Sequence, residues 1–318
     1  MQTITLLLPI LIIIVVGFSL CRFKILNKDI VSGLNGFIFY VAGPSLIFSA
    51  ISQEHFADMM VWGFWLALLL LIVVTICISF LVLRLICKED LLSSGIMSFY
   101  PSIKNSVIVL LPILLALAGN RAVIPVAISL FVYGCLVFPF WLFLLEINHQ
   151  KSIDKPDTSE VSRLMLIKTT TVNVFKNPII LSAILGASYS YFNFAFVDSI
   201  MMSIKMMGEA FSPCALIAVG AELSNYHFKK ITRLEMVITI ITLVICPLIA
   251  LLISALLGLS PFWKEALVVM AAMPTAKVVY VLTSPYEPYK ELSSCIILST
   301  TFFSVFSVMF WLGVIRHF

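Results

Sequence analysis

Apolar residues run along this chain in long blocks rather than as a stripe on one face. Ten blocks stand out, at roughly 4–21, 34–52, 61–83, 91–117, 122–146, 178–193, 207–223, 235–258, 264–284 and 291–315. A helix needs about 20 apolar residues to cross the hydrocarbon core, so each block predicts a membrane-spanning helix. Blocks 4–21 and 178–193 are short, and blocks 91–117 and 264–284 carry interior prolines together with a lysine. The longest polar stretch, 147–176, holds Lys151, Asp154, Lys155, Asp157, Glu160, Arg163, Lys168 and Lys176. It divides the chain into a first five-helix unit (1–146), a linker (147–176) and a second five-helix unit (177–318).

Composition supports this and excludes most other classes. Of 318 residues, 61% are hydrophobic and 11% are charged, with a mean hydropathy of +1.12. A soluble domain carries about 25% charged residues. That rules out a soluble enzyme with an anchor. The net charge of +4 is too small and too dispersed for nucleic-acid binding. The seven cysteines show no metal-ligand spacing and read as small buried hydrophobes. The first block lacks a basic flank before it and is followed by Arg22 and Lys24, so it reads as a stop-transfer span rather than a cleaved leader.

Charge sets the orientation. With the N-terminus outside, the inside loops hold Arg22, Lys24 and Lys28, then Arg84 and Lys88, the five basic residues of the linker, then Lys229, Lys230 and Arg233, and Lys290. Outside lie Arg121, Lys205, Lys264 and Arg316. Inside loops of membrane proteins carry the excess of Lys and Arg, so both termini are expected outside the cell's inner (plasma) membrane and the linker in the cytoplasm. Trp62, Trp65, Trp263 and Trp311 lie near span ends, where an aromatic belt is expected.

A shift of 173 residues maps the first five blocks onto the last five. Each half has an odd number of spans, so the second half is inverted, as in many secondary transporters. The same shift exposes a motif. Residues 101–112 read PSIKNSVIVLLP and residues 274–285 read PTAKVVYVLTSP. Pro101 matches Pro274, Ser102 matches Thr275, Lys104 matches Lys277, and Pro112 matches Pro285. Proline inside a span removes an N–H and frees carbonyls that need partners away from lipid. Interrupted helices at equivalent positions of two halves are the best sequence pointer to a transporter's binding site.

A lysine at mid-membrane costs about 2.5–3.5 kcal/mol on insertion scales. Lys104 and Lys277 have several readings. They could bind a carboxylate, helped by half-helix dipoles. They could pair with Glu209 or Glu222, or snorkel to the interface. They could also fill space that a cation occupies in ion-coupled proteins. Asn105 can both donate and accept hydrogen bonds. Ser102 and Thr275 suit back-bonding to their own helices. Glu209 and Glu222 bracket span 207–223 and read as interfacial. Spans four, five, nine and ten have no interior Asp or Glu, which weakens a carboxylate ion site, although carbonyls could still bind Na⁺.

At these residues the chain resembles the auxin efflux carrier family, in its bacterial organic-acid branch. The segments Asn105 to Pro112 with Ala118 and Gly119, Met273 to Ala276 with Tyr286, 34–52 and 208–224 carry the likeness, which spans essentially the whole chain. The resemblance implies an all-α membrane protein of ten helices in two inverted five-helix repeats, with broken helices 4 and 9 crossing near the midplane. It implies an elevator-type secondary transporter of a small organic anion, such as malonate, malate or an auxin-like acid, with no resident cofactor. Na⁺ or H⁺ stays open as a coupling ion and a homodimer as a partner. Asn105 carries over as the substrate contact, with Val278 standing where the family offers Asn. Val107 and Leu110 replace family glycines. The expected site is therefore Lys104, Asn105, Lys277, Val278, Ser102 and Thr275, with helix breaks at Pro101, Pro274, Pro112 and Pro285. No HExxH, GxGD, GxSxG or nucleotide-binding loop is present. The alternative is a transporter-derived sensor or scaffold that moves nothing.

Overall fold

The structure is a computed structural model that describes residues 2–53, 61–152, 177–192, 198–224, 231–283 and 289–317. Most of the linker, and Pro285 with Tyr286, lie outside the described residues. Helix α1 spans Gln2–Arg22 and α2 spans Lys28–Ile51. Helix α3 is Trp62–Leu85 and α4 is Leu91–Met97. After a break, a π turn (Ser106–Leu110) leads into α5, Leu111–Ala118. Helix α6, Val123–Val132, continues through a π turn into α7, Phe138–Ser152. The second half has α8 (Pro178–Phe192), α9 (Asp198–Glu209), α10 (Phe211–Ser224) and α11 (Arg233–Leu256). It closes with α12 (Pro261–Ala271), a second break, α13 (Val278–Thr283) and α14 (Tyr289–His317). The described residues are helical throughout apart from loops and one isolated β-bridge. Six of the continuous helical stretches are long and apolar enough to cross a membrane. The breaks at 98–105 and 272–277 divide spans that would otherwise qualify by length.

Several boundaries differ from the sequence expectation, for local reasons. Helix α2 begins six residues early because the Asn27 side chain accepts the Ile30 N–H and caps it. Thr232 caps α11 in the same way through Glu235 N–H. Span 207–223 is instead two helices, α9 and α10, separated at Ala210. Of the cysteines, Cys246 is buried and Cys77 is exposed on the outer face of α3, so burial is not their common property. Nor do the tryptophans form a uniform belt. Trp62 is exposed, whereas Trp263 packs against Phe64 and Phe262 and the Trp311 indole N–H donates to the Leu243 carbonyl.

The four five-residue π turns share one cause. They cover Ile38–Ala42, Ser106–Leu110, Tyr133–Val137 and Ile241–Ile245, and each ends two residues before a proline: Pro44, Pro112, Pro139 and Pro247. Proline has no N–H and its ring clashes with the carbonyl four residues back. The turn widens so that the residue before the proline bonds one position further back, as Cys246 N–H does to the Ile241 carbonyl. Each widening frees two carbonyls.

Packing sorts the helices into two groups. Helices α1, α2, α8, α9 and α10 pack together through very close approaches. A Cβ on Gly17 of α1 would stand 2.3 Å from the Ile217 carbonyl oxygen, and one on Gly220 of α10 would stand 2.0 Å from that of Ile14. Gly208 meets the Leu46 backbone in the same way. Small residues allow this proximity in membrane helices, where dispersion replaces the hydrophobic effect. The second group, α3 to α7 with α11 to α14, surrounds the two breaks and carries a buried core of Phe64, Tyr100, Trp141 and Met270.

Candidate functional site

The two breaks meet. Asn105 N–H donates to the Pro274 carbonyl at 2.9 Å, and Ala276 N–H donates to the Ile103 carbonyl at 2.9 Å. Together they form an antiparallel bridge between Lys104 and Thr275. Backbone groups inside each break are thus satisfied by the opposite break rather than left facing lipid. Side chains reinforce the crossing. Thr275 Oγ1 donates to the Tyr100 carbonyl at 3.0 Å, and its own N–H donates to Thr300 Oγ1 at 3.2 Å. Thr275 is therefore tied to the other break instead of back-bonding to its own helix. Ser102 does bond back, from Oγ to the Phe99 carbonyl at 2.9 Å, while its carbonyl accepts the Tyr133 hydroxyl at 3.0 Å.

Lys104 and Lys277 leave this crossing in different directions. Lys104 is buried, and its Nζ donates to the Thr242 carbonyl at 2.9 Å. That carbonyl is one of the two freed by Pro247. The other, on Leu243, accepts Ser307 Oγ at 2.7 Å and Trp311 Nε1 at 3.0 Å. Cys246, beside Pro247, packs its Sγ against the Pro101 carbonyl at 3.7 Å. Lys104 thus fastens the first break to the weakened stretch of α11. Lys277 instead forms an ion pair with Glu222 of α10. Its side chain is 37% exposed and that of Glu222 is 23% exposed.

This pair lines an open cavity of about 780 Å³, bordered by the end of α1, the start of α2, α10, α13 and α14. Lys24, Lys28, Asn27 and Asn35 also face it. Asn35 Oδ1 is buried without a hydrogen-bond partner. Three ammonium groups and two side-chain amides around one carboxylate make the cavity suited to an anion. Neither Lys104 nor Asn105 lines it. Asn105 acts locally, its Oδ1 accepting the Ile108 N–H at 3.3 Å at the head of the π turn. Val278 opens α13, and Pro112 enters α5 just after that turn.

Asn27, Lys24 and Lys28 do not stand out in the sequence for this role because they lie between apolar blocks, and Asn35 because it falls at the edge of block 34–52, where polar residues are ordinary. Thr242 could have been found from Pro247 five residues on. No group of three or more His, Cys, Asp or Glu side chains suited to a metal occurs among the described residues.

Comparison with known proteins decides the family. The membrane transport protein family matches residues 2–312. The chain belongs to that family. This is the auxin efflux carrier family that the motifs at 105–112 and 273–276 resemble. A protein of Rhizobium meliloti described as "Putative malonate transporter" is 26% identical over 313 residues, covering 98% of this chain and 95% of the relative. An uncharacterized transporter of Methanocaldococcus jannaschii is 24% identical over 315 residues, covering 96% of each chain. As a member of this family the chain is a multi-pass membrane transporter and not an enzyme.

Proposed function

We propose that this membrane transport protein is a secondary carrier of a small organic anion, with a short dicarboxylate such as malonate as its first candidate. The observation that carries the reading is the cavity beside the second break, where Lys277 reaches out of the crossing toward Lys24, Lys28 and Asn35. The R. meliloti relative's description agrees with this chemistry. With both termini outside the inner membrane, as the basic loops argue, the cavity opens to the cytoplasm.

An elevator-type mechanism in a ten-helix inverted repeat fits the same features. The bridge register sets Ile103 opposite Ala276, and these are related by the 173-residue offset, as expected if a two-fold axis passes through the crossing. The helix group held by Gly17, Gly220 and Gly208 would act as the stationary scaffold. The group around the crossing would carry the anion past it. Lys277 supplies the charged contact, Thr275 and Val278 shape its surroundings, and Lys104, Asn105 and Ser102 hold the breaks open behind it.

Uptake of radiolabelled malonate into proteoliposomes tests this. The expected result is saturable uptake by the parent that Lys277→Ala loses. A parent that accumulates neither malonate nor any other mono- or dicarboxylate would overturn the reading.

A further inference from the structure

The Lys277–Glu222 pair occupies the place where a carboxylate ligand must bind. Resting on the anion-carrier reading, we infer that Glu222 is an internal counter-ion which must take up a proton before the substrate anion can engage Lys277, so that the anion and H⁺ bind together.

Three observations support it. First, the pair faces a cavity and is partly exposed, so both a ligand and a proton from solvent can reach it. Second, the Glu222 carboxylate is paired with Lys277 itself, so a ligand carboxylate that claims this lysine displaces Glu222 from its partner. Third, Asn35 presents a buried acceptor with no donor in the same cavity. A carboxylate cannot satisfy an acceptor, whereas a protonated carboxyl or an ammonium can.

The chemistry balances simply. One proton from water adds to the Glu222 carboxylate, the Lys277 ammonium keeps its charge, and the ligand carboxylate replaces Glu222 as its partner. A monoanion thereby binds without net change in charge, and dianionic malonate adds one net negative charge, which Lys24 and Lys28 face. The other ionisable groups facing the pair are Cys21 and Lys24 from the end of α1, Lys28 from the start of α2, and Tyr280 from α13. The face of α14 contributes Ser294, Ile297 and Leu298, none of them ionisable. Lys24 and Lys28 add positive charge, which favours the anion.

The test is calorimetric titration of purified full-length protein with malonate, in two buffers of different ionisation enthalpy, repeated from pH 6.5 to 8.5. The parent is expected to take up about one proton per malonate bound, with affinity falling roughly tenfold per pH unit. Glu222→Gln is expected to bind at least tenfold more tightly at pH 8, with no proton uptake and a flat pH profile. Binding by the parent without proton uptake overturns the inference and leaves the anion-carrier reading intact, and this measurement stands even if Glu222→Gln fails to fold. Proton uptake that persists in a folded Glu222→Gln also overturns it. If neither protein binds malonate or other carboxylates, the carrier reading itself fails.

Discussion

Lys104 and Lys277 hold matching positions in matching motifs, yet one is sealed in the protein and the other opens on a cavity. The difference comes from the helices each lysine meets. Lys104 faces α11, where Pro247 widens the helix and frees the Thr242 carbonyl. The corresponding helix for Lys277 is α3, an unbroken α-helix with Val74 in place of the proline. It has no carbonyl to offer. Conversely, Lys277 meets Glu222 on α10, and at the corresponding position α2 carries Ser49, whose hydroxyl is already bonded to the Leu46 carbonyl. Two lysines that look equivalent along the chain meet different partners because Pro247 and Glu222 stand 173 residues on from Val74 and Ser49. The first is a strut, and in the proposed carrier the second is the ligand group.

Stability measurements should break this comparison most clearly if it is wrong. Lys104→Ala leaves a cavity and an unpartnered carbonyl, with an expected cost of about 2–4 kcal/mol. Lys277→Ala removes half of a partly exposed pair and should cost under about 1 kcal/mol. Melting curves in detergent would compare them directly, and equal losses would refute the division of roles.

Ligand affinity should show the reverse order. Removing a charge-assisted hydrogen bond costs about 1.5–3 kcal/mol, or roughly 10-fold to 150-fold in Kd. That loss is expected for Lys277→Ala, while a folded Lys104→Met keeps most of its malonate affinity by the same calorimetric assay.

A double-mutant cycle sharpens the cause. Pro247→Ala restores the missing N–H, so the π turn can close and Thr242 can recover a helical partner. In that background Lys104→Ala should cost less than in the parent, with a coupling of about 1 kcal/mol. Strict additivity would mean that Pro247 does not set the lysine's partner.

The smallest effect concerns how the two broken helices begin. Asp90 caps α4, accepting the Ser93 N–H, and the Ser93 side chain together with backbone donors holds the carboxyl below the usual carboxylate range. A lowered folded-state pKa gives stability that is present above about pH 4, the unfolded value, and lost as pH falls through the folded value. Asp90→Ala should cost about 0.5–1 kcal/mol at pH 7, and that penalty should shrink in acid. At the start of α12, Ser260 makes no side-chain cap and Pro261 fixes the first turn instead. Ser260→Ala should barely shift the melting temperature.

Much of this architecture was legible in the chain. Pro101 and Pro274 marked both breaks, because a proline in an apolar span has few other outcomes, and their equivalence pointed to a crossing. The lysines stood out because charge at that depth is expensive. Their destinations were harder to read. Lys104's partner is a main-chain carbonyl, invisible as a residue type, and only the proline five positions later betrays it. Glu222 looked interfacial because it sits near a span end. Its pairing depends on the rotation and depth of α10, which hydropathy does not encode. Asn105 carried over from the family as a ligand group, but here it caps the turn that follows it. The cavity's remaining polar residues come from the α1–α2 corner, far from either motif in sequence.

Gly220 bears on that last point. Where α10 lies against α1 there is no side chain between them, only a backbone carbonyl within the space of a missing methyl. Two residues further along the same helix is Glu222. The reach of an acidic group toward its lysine is thus calibrated by an atom that is absent. Adding it, as Gly220→Ala would, lifts the whole helix and moves the carboxylate without touching a charge. The electrostatics of the cavity and the spacing of two apolar helices are one adjustable quantity.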